Sequence, residues 1–297
     1  MASAHWGLEG EETRMAANGK ATLSTRKLQA AVDEMGSWVE PLGRVGFAAK
    51  GIIYVLVGGL AALAAAGAGG ETTGSEGALR RLVQLPFGRI LLAAIAIGLI
   101  GYAIWRFIQG YRDTDNKGSE LKGLAIRAGY VVSGVIHLGL AGSAALLARG
   151  ARDADGQNST QDWTAWLLSQ HYGQWLVGAV GAVVIGVGLF QFYQAYSVHF
   201  RKHLKLGEMS RGEEMWAVRA GRAGFAARGV VLCVTGALVI RAAVQMDSSG
   251  SSGLEGSLQV LERQTYAPWL FGLVALGLVA YGLFQLVLAK YRRMLIR

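Results

Sequence analysis

The sequence predicts an all-α membrane protein whose six transmembrane helices form three repeated two-helix hairpins. Two observations of composition support this class: 52% of the 297 residues are hydrophobic, and only 16% are charged. Six apolar runs of roughly 20 residues each are long enough to cross a bilayer. The third observation is one pattern that recurs three times along the chain. Because all three copies enter the membrane in the same direction, we expect a pseudo-threefold axis along the membrane normal.

The repeat is clearest at the start of the first apolar run of each copy. It reads GRVGFAAKG at 43–51, RAGYVVSG at 127–134 and GRAGFAARG at 221–229. The second apolar runs align as YAIWR at 102–106, VGLFQ at 187–191 and YGLFQ at 281–285. The resulting units are repeat 1 at 43–112, repeat 2 at 123–198 and repeat 3 at 221–292.

The six predicted spans follow in order along the three repeats. They cover 45–66, 88–109, 128–148, 174–197, 223–245 and 268–289. The 43 glycines favour close helix packing, because small residues let helix backbones approach each other in lipid. Between the two spans of each repeat, the segments 77–84, 161–168 and 254–261 predict short amphipathic helices that pack as lids over the hairpins.

The N-terminal segment 1–42 is predicted to be a cytoplasmic tail. Within it, Leu28, Val32, Met35 and Val39 recur at helical spacing and indicate a short amphipathic helix. This helix would lie on the inner leaflet or pack on the cytoplasmic loops. The segment has no apolar core typical of a signal peptide, so the first span is expected to act as an uncleaved anchor.

The distribution of basic residues predicts the orientation. Of the 29 Lys and Arg residues, 22 belong to the N-terminal tail, the loops after the second and fourth spans, the C-terminal tail and the span ends adjoining them. The positive-inside rule therefore predicts that both termini are cytoplasmic in a bacterial plasma (inner) membrane. The net charge of +9 also predicts attraction to anionic phospholipid. Nucleic acid is not an expected partner, because the basic loops lack interleaved aromatic residues.

These motifs resemble a known family of bacterial membrane proteins. The segments 43–51, 77–79, 85–89 and 98–102 are similar to the family catalogued as domain of unknown function 1206. The resemblance spans about residues 43–292 and implies repeated two-helix units in a membrane, without implying a reaction. The middle copy departs most from the pattern, because Ser133 replaces the basic residue and His137 appears.

Three arginines begin the first span of each repeat: Arg44, Arg127 and Arg222. A cation at a helix N-terminus is disfavoured by the helix dipole, so another partner is expected. One alternative is an anionic lipid or another anion held by the guanidinium and the free backbone N–H groups. Another is a clamp on the C-terminal carbonyls of a neighbouring span. The third is positive-inside bias alone.

Two further polar sets lie within the spans. Arg106, Gln191 and Gln285 are repeat-equivalent and predict an inner polar ring, unless they snorkel to the interface. His137 and Ser133 lie one turn apart and predict a buried polar site. That site could be a proton or ligand contact or a satisfied interhelical hydrogen bond.

The sequence contains no pattern typical of an enzyme. Neither a phosphate loop, nor a Ser-His-Asp set, nor a Cys and His metal array is present, and the spans lack a central Asp or Glu. We therefore expect no enzymatic activity, no cofactor and no bound metal. The expected function is an accessory, scaffold or lipid-interacting subunit, with a possible membrane-protein partner. The alternative is a small transporter or channel along the pseudo-threefold axis.

Overall fold

A computed structural model describes residues 40–70, 72–151, 159–246, 253–262 and 268–293. Six helices are long and apolar enough to span a membrane: α1 Glu40–Ala65, α3 Gly88–Arg112, α4 Leu121–Ala148, α6 Gly173–Ser197, α7 Arg211–Gln245 and α9 Pro268–Tyr291. Three short helices separate the two spans of each repeat: α2 Ser75–Val83, α5 Ser159–Leu168 and α8 Gly253–Glu262. The six-span, three-repeat architecture is confirmed. The amphipathic helix expected before residue 40 lies outside the described residues.

The two ends of the bundle differ in their connections. The start of α1 and the end of α9 lie at the same end of the bundle, because Arg44 Nη1 donates to the Ala289 carbonyl at 2.9 Å. We call this end the basic end. Loops also join α3 to α4 and α6 to α7 there, the latter through 3₁₀ turns at His199–His203 and Leu206–Glu208. The short helices lie at the opposite end.

The predicted amphipathic character of the short helices is confirmed at α2 and α8. Leu79 and Leu82 of α2 are buried, as are Leu258 and Leu261 of α8. However, α2 contacts α4 of the next repeat as well as α3 of its own repeat. It therefore connects two repeats instead of covering only its own hairpin.

The longest span, α7, extends beyond the apolar run at the basic end. A capping box starts it: the Glu213 backbone N–H donates to Ser210 Oγ at 3.2 Å, and the Ser210 N–H donates to Glu213 Oε2 at 2.8 Å. These two bonds satisfy donors that would otherwise be unpaired at the helix start. The cap therefore fixes the start of α7 in the loop and not at the membrane boundary.

Glycines at equivalent positions form the contacts between repeats. A Cβ on Gly51 of α1 would lie 2.8 Å from the Gly282 carbonyl oxygen of α9, and one on Gly229 of α7 would lie 3.1 Å from the Gly188 carbonyl oxygen of α6. On α4, Gly134 packs against the ring of Phe107 in α3 in the same way. Repeat 1 thus contacts repeat 2, repeat 2 contacts repeat 3, and repeat 3 returns to repeat 1. This cyclic order gives the bundle its pseudo-threefold packing.

Contacts within a repeat close the first and third hairpins. A Cβ on Gly46 would approach the Tyr102 backbone N to 2.5 Å, and a Cβ on Gly224 would approach the Tyr281 Cα to 2.5 Å. At the equivalent position of the middle repeat, a Cβ on Gly129 would meet nothing within 4 Å. The spans α4 and α6 are therefore separated where their counterparts touch.

Residues of α6 show the consequence of this separation. Val187 is 45% exposed, whereas the equivalent Tyr102 and Tyr281 are 0% and 2% exposed. The α4 side of the opening shows the same contrast. Ile136 is 62% exposed, but Ile53 and Val231, at the equivalent positions of α1 and α7, are 1% and 3% exposed.

We call this opening the α4–α6 cleft and define it by four exposed apolar residues: Val132 and Ile136 on α4, and Val180 and Val187 on α6. Its walls are the faces that the other two repeats bury between their spans. The bundle is therefore a ring of six helices with one interface open.

Candidate functional site

Two cation–tyrosine pairs lie inside the bundle at repeat-equivalent positions. Lys50 Nζ of α1 donates to the Tyr102 hydroxyl of α3 at 2.9 Å. Arg228 Nη1 of α7 donates to the Tyr281 hydroxyl of α9 at 3.0 Å. Each pair joins the two spans of a closed hairpin. In the middle repeat Ser133 and Val187 stand in these positions, so the third pair is missing beside the α4–α6 cleft.

Arg106 adds a second cation to the first pair and is the third cation of the site. Its Nε and Nη2 atoms donate to the Tyr102 hydroxyl at 2.8 and 2.6 Å, and Nη1 donates to Gln109 Oε1 at 3.0 Å. Its guanidinium also lies over the rings of Tyr102 and Tyr130, at 4.9 and 5.1 Å from their centroids. The Tyr102 oxygen therefore accepts from two cations, which fills its acceptor capacity.

Aromatic rings take the place of acidic partners around Lys50. Its ammonium lies 4.6 Å from the centroid of Tyr102, 5.8 Å from that of Tyr281 and 6.0 Å from that of Tyr54. The rings of Tyr54 and Tyr281 contact each other at 4.8 Å. Cation–π attraction to these rings stabilises the charge without neutralising it. We call Lys50, Arg106, Arg228 and the tyrosines that contact them the cation–tyrosine cluster.

The basic side chains of the cluster have no direct carboxylate partner in the described part of the chain. Among the described residues, no Asp or Glu forms an ion pair or hydrogen bond with its three cations. Asp115 is linked to the three cations only through other side chains, by accepting from Tyr130 at 2.8 Å and from Gln109 at 3.2 Å. Lysine has three N–H donors and arginine five, more than the tyrosine hydroxyls accept. The site therefore has both the charge and the spare donors to bind an anion.

Depth makes this charge expensive. Lys50 is 2% exposed and lies ten residues into α1, about 15 Å along the helix from Glu40. A Lys or Arg at the centre of a membrane helix costs about 2.5–3.5 kcal/mol on insertion scales, which is an upper limit for residues that lie toward the basic end. Three basic residues inside the bundle, on three different helices, are nevertheless typical of a functional site.

The structure places the three predicted arginines on neighbouring helix ends. Arg127 Nε and Nη2 donate to the carbonyls of Gly110 and Tyr111 at the end of α3, at 2.7 and 2.8 Å. Arg222 Nε donates to the Ala195 carbonyl of α6 at 3.2 Å.

Arg44 makes the equivalent contacts with Ala289 and Lys290 of α9, and it also pairs with Glu40 at 2.6 Å. The geometry supports the helix-clamp alternative: each guanidinium joins one repeat to the end of the preceding one. Anionic lipid binding by these arginines stays a prediction.

The inner polar ring predicted from Arg106, Gln191 and Gln285 stays a prediction. Gln191 and Gln285 are buried and Arg106 is half-buried, so the two glutamines do not snorkel to the interface. The hydrogen bonds of Arg106 go to Tyr102 and Gln109 and not to either glutamine. The Oε1 atom of Gln285 is buried without a hydrogen-bond partner.

His137 lies at the edge of the cation–tyrosine cluster. Its Nδ1 is 2.7 Å from the Ser133 carbonyl of its own helix, so Nδ1 carries the proton in that bond. Its ring packs on Tyr102 with the centroids 4.5 Å apart. The expected interhelical hydrogen bond is therefore an intrahelical bond combined with an interhelical ring contact, and Ser133 contributes its backbone carbonyl.

Sequence reasoning missed Lys50, Arg228 and the tyrosines. The two basic residues were counted with the inner positive charge, although each lies six residues past the arginine that begins its repeat. Six residues correspond to about 9 Å of helix, which places them inside the apolar run. A basic residue and a tyrosine that recur together in repeats 1 and 3, and are both absent from repeat 2, would have been a usable signal.

A second polar network lies at the basic end, outside the spans. Asp115 lies 3.8 Å from Arg292 and 3.9 Å from the His203 ring. Burial alone would raise the pKa of Asp115, but Arg292, His203 and the Tyr130 hydrogen bond together lower it. Burial and the nearby Arg292 lower the pKa of His203 to about 4, against the opposing effect of Asp115. His203 is therefore neutral at pH 7, and its approach to Asp115 is not an ion pair.

No group of three or more His, Cys, Asp or Glu side chains that could hold a metal ion occurs in the part of the chain that the structure describes.

Comparison with known proteins identifies the family. A family model described as Domain of Unknown Function (DUF1206) matches three times, at residues 45–113, 128–197 and 223–292. The chain is 34% identical to "Uncharacterized protein YxxB" of Bacillus subtilis (strain 168) over 261 residues, which are 88% of this chain and 94% of the relative. No solved structure matches the chain. Three matches covering most of the chain, together with this relative, show that the protein is a multi-pass membrane protein of the DUF1206 family.

Proposed function

We propose that this protein binds the acidic group of an anionic ligand, such as a phosphate, at the cation–tyrosine cluster. The observation that carries the proposal is the presence of Lys50, Arg106 and Arg228 inside an apolar bundle with no carboxylate partner among the described residues. A bound anion offsets the cost of these charges and uses their spare N–H donors. Either an anionic phospholipid or a free anion supplies this chemistry.

The protein performs this role without enzymatic activity, as a lipid-interacting or accessory component of the bacterial plasma membrane with both termini in the cytoplasm. Support for a binding role comes from the cluster itself, whose cations have N–H donors that the tyrosine hydroxyls do not use. Support for the orientation comes from the excess of basic residues at the basic end.

Transport of the same anion is the second candidate function. The polar centre of the bundle favours it, since a scaffold needs only an apolar core. A transporter predicts that the protein releases the anion on either side of the membrane, whereas a binding protein retains it.

Native mass spectrometry of the full chain with phosphatidylglycerol, phosphatidylethanolamine or inorganic phosphate tests the proposal. We expect retention of phosphatidylglycerol or phosphate, and a loss of at least tenfold in the double variant Lys50→Met, Arg228→Met. The matched control is Lys122→Met, which removes one exposed positive charge at the start of α4 and should leave retention unchanged.

The melting temperature separates loss of binding from misfolding. Without ligand, the double variant should melt at or above the wild-type temperature, because unpaired buried charges destabilise a fold. The added anion should then raise the melting temperature of the wild type only. Equal retention of both probes by wild type and double variant would contradict the proposal. Anion efflux from proteoliposomes that depends on Lys50 and Arg228 would favour transport.

A further inference from the structure

We infer that the ligand is an amphiphile whose hydrocarbon chain lies in the α4–α6 cleft while its acidic head contacts the cation–tyrosine cluster. This inference rests on the proposed function, because it takes the cluster as the binding site for the acidic group. It adds the chemical class of the ligand, a lipid instead of a free anion, and its route of entry, sideways from the bilayer between two spans.

The first argument is that the cleft is a missing interface and not an ordinary lipid-facing surface. Ile136 and Val187 occupy positions that are buried in both other repeats. Leu189, two residues further on α6, is exposed, and so are its equivalents Ile104 and Leu283. Leu189 therefore belongs to a face that is exposed in every repeat, whereas Ile136 and Val187 are exposed only because the middle repeat lacks the contact between its two spans. The walls of the cleft are consequently apolar faces of the kind that the other two hairpins bury between their spans.

The second argument is that the cleft is continuous with the cluster. His137 lies one residue past Ile136 on α4, and its ring packs on Tyr102 at 4.5 Å. Tyr130, also on α4, lies under the guanidinium of Arg106 at 5.1 Å. The helix that forms one wall of the cleft therefore also forms one side of the cluster. A ligand in the cleft would therefore lie beside the α4 residues that contact Tyr102 and Arg106.

The third argument is the polarity along the cleft. Ser133 and Val187 replace the cation and the tyrosine of the other repeats, so they mark the level of the cluster. Ile136 on α4 and Val180 on α6 lie further toward the opposite end, by about 5 and 10 Å of helix respectively. Positive charge thus lies toward the basic end and apolar wall toward the middle of the bilayer. An anionic lipid whose head lies toward the basic end would place its negative charge beside the cations and its hydrocarbon chain beside the apolar walls.

A transmembrane helix of a partner or of a second copy would fit the apolar walls but not the cations. A helix satisfies its own backbone groups and would need an acidic side chain at the level of Lys50 to pair with the cluster. Within this chain, the described spans carry acidic side chains only near the basic end, at Glu40, Glu213 and Glu214, and not at the level of the cluster. We therefore commit to an anionic lipid.

Photo-crosslinking of the full chain in nanodiscs tests the inference. The probe is phosphatidylglycerol with a diazirine midway along one acyl chain, and the labelled residues are located by peptide mass spectrometry. We expect labelling of Val132, Ile136, Val180 and Val187 above that of the lipid-facing residues Leu189 and Leu283. Phosphatidylethanolamine with the same diazirine should label both groups equally, because its zwitterionic head is not held by the cluster.

Filling the cleft gives the matched comparison. Val187→Trp places a bulky ring in the cleft, whereas Leu189→Trp places the same ring on the face that is exposed in all three repeats. We expect Val187→Trp to reduce phosphatidylglycerol retention at least fivefold and Leu189→Trp to leave it unchanged. Val187→Phe, which is close in size to the tyrosine of the other repeats, should have the same effect as Val187→Trp if the tryptophan variant does not fold.

The two proposals fail in different ways. If Val187→Trp and Val187→Phe keep wild-type retention while Lys50→Met, Arg228→Met loses it, the acidic site stands and the chain-binding cleft is wrong. Preferential binding of inorganic phosphate would have the same meaning. If the nanodiscs contain two copies of the chain and the lipid probe labels none of the four cleft residues, a second copy fills the cleft and the inference is overturned. If neither cluster nor cleft variants change retention, both proposals are wrong.

Discussion

At the residue scale, Arg44, Arg127 and Arg222 show how one side chain joins two spans of neighbouring repeats. The structure corrects the position expected for them, because Arg127 and Arg222 lie six and eleven residues past the starts of α4 and α7, beyond the first turn in which the helix dipole acts. Each guanidinium donates to carbonyls at the negative C-terminal end of a neighbouring span. A planar fork can reach two successive carbonyls, as Arg127 does, and an ammonium cannot match that geometry. The same residue type therefore joins helices here and, in the function that we propose, binds the ligand in the cluster.

His203 sets a pH dependence at the residue scale. Its pKa is about 4 in the fold and about 6.5 in the unfolded chain, so the unfolded chain binds more protons between these values. Stability is therefore fully present above pH 6.5 and is lost as the pH falls toward 4, by about 3 kcal/mol at most. Melting of wild type in detergent at pH 7.5 and pH 4.5 should show this loss.

The variant His203→Gln isolates the effect, because glutamine does not titrate. It should reduce the difference in melting temperature between pH 7.5 and pH 4.5. Asp115 remains charged over this range, because its pKa is lowered. A pH dependence in His203→Gln equal to that of wild type would show that other groups are responsible.

At the element scale, glycine positions decide which helices touch. Gly51 and Gly229 lie at crossings between repeats, where an added Cβ would come within 2.8 and 3.1 Å of a carbonyl oxygen of the neighbouring span, closer than ordinary van der Waals contact. Gly129 lies on a span of the same type, but an added Cβ there would meet nothing within 4 Å. The same residue type in equivalent helices is thus required in one place and free in another.

Leucine substitutions test this difference between elements. Gly51→Leu and Gly229→Leu should destabilise the bundle by about 1–3 kcal/mol each through overpacking. Gly129→Leu, the matched control on α4, should change the melting temperature little. The measurement is thermal unfolding in detergent. Unchanged melting of the first two variants, or an equal loss in all three, would show that the crossings do not limit stability.

At the scale of the whole molecule, three equivalent contacts arrange the repeats in a ring, and one of the three hairpins remains open. The contacts between repeats survive in every copy, because Gly134 and Gly188 of the middle repeat keep their partners. The contact within the middle repeat is lost, and the tyrosine at its centre is replaced by Val187. The pseudo-threefold bundle is therefore asymmetric at one place, where the middle repeat lacks the contact between its two spans.

Orientation is the prediction that belongs to the whole molecule. A reporter active only in the cytoplasm should be active at the C-terminus and silent after Gly156, because the basic residues collect on the side of both termini. Excluding Lys50, Arg106 and Arg228, which lie inside the bundle, still leaves 19 basic residues against 7 on the other side. A silent reporter at the C-terminus, or an active one after Gly156, would contradict the predicted orientation.

The amino-acid sequence by itself determined the membrane class, the six spans, the three repeats and the family resemblance. These follow from local patterns, since span length and composition are set by bilayer thickness and the repeat is visible in the residues themselves. It also identified Arg44, Arg127, Arg222 and Arg106, but it left open which groups their side chains contact. Those contacts join residues from different repeats, and their distances are not encoded in the spacing along one helix.

Only the tertiary structure decided where the candidate site lies. Lys50 and Arg228 are 178 residues apart in the sequence, and both look like positive-inside charge until α1, α3, α7 and α9 bring them to the same tyrosines. The α4–α6 cleft is equally invisible in the sequence, because Ile136 and Val187 are as apolar as residues that the other repeats bury. Whether such a residue is covered depends on which helix packs beside it, and that is a property of the assembled bundle.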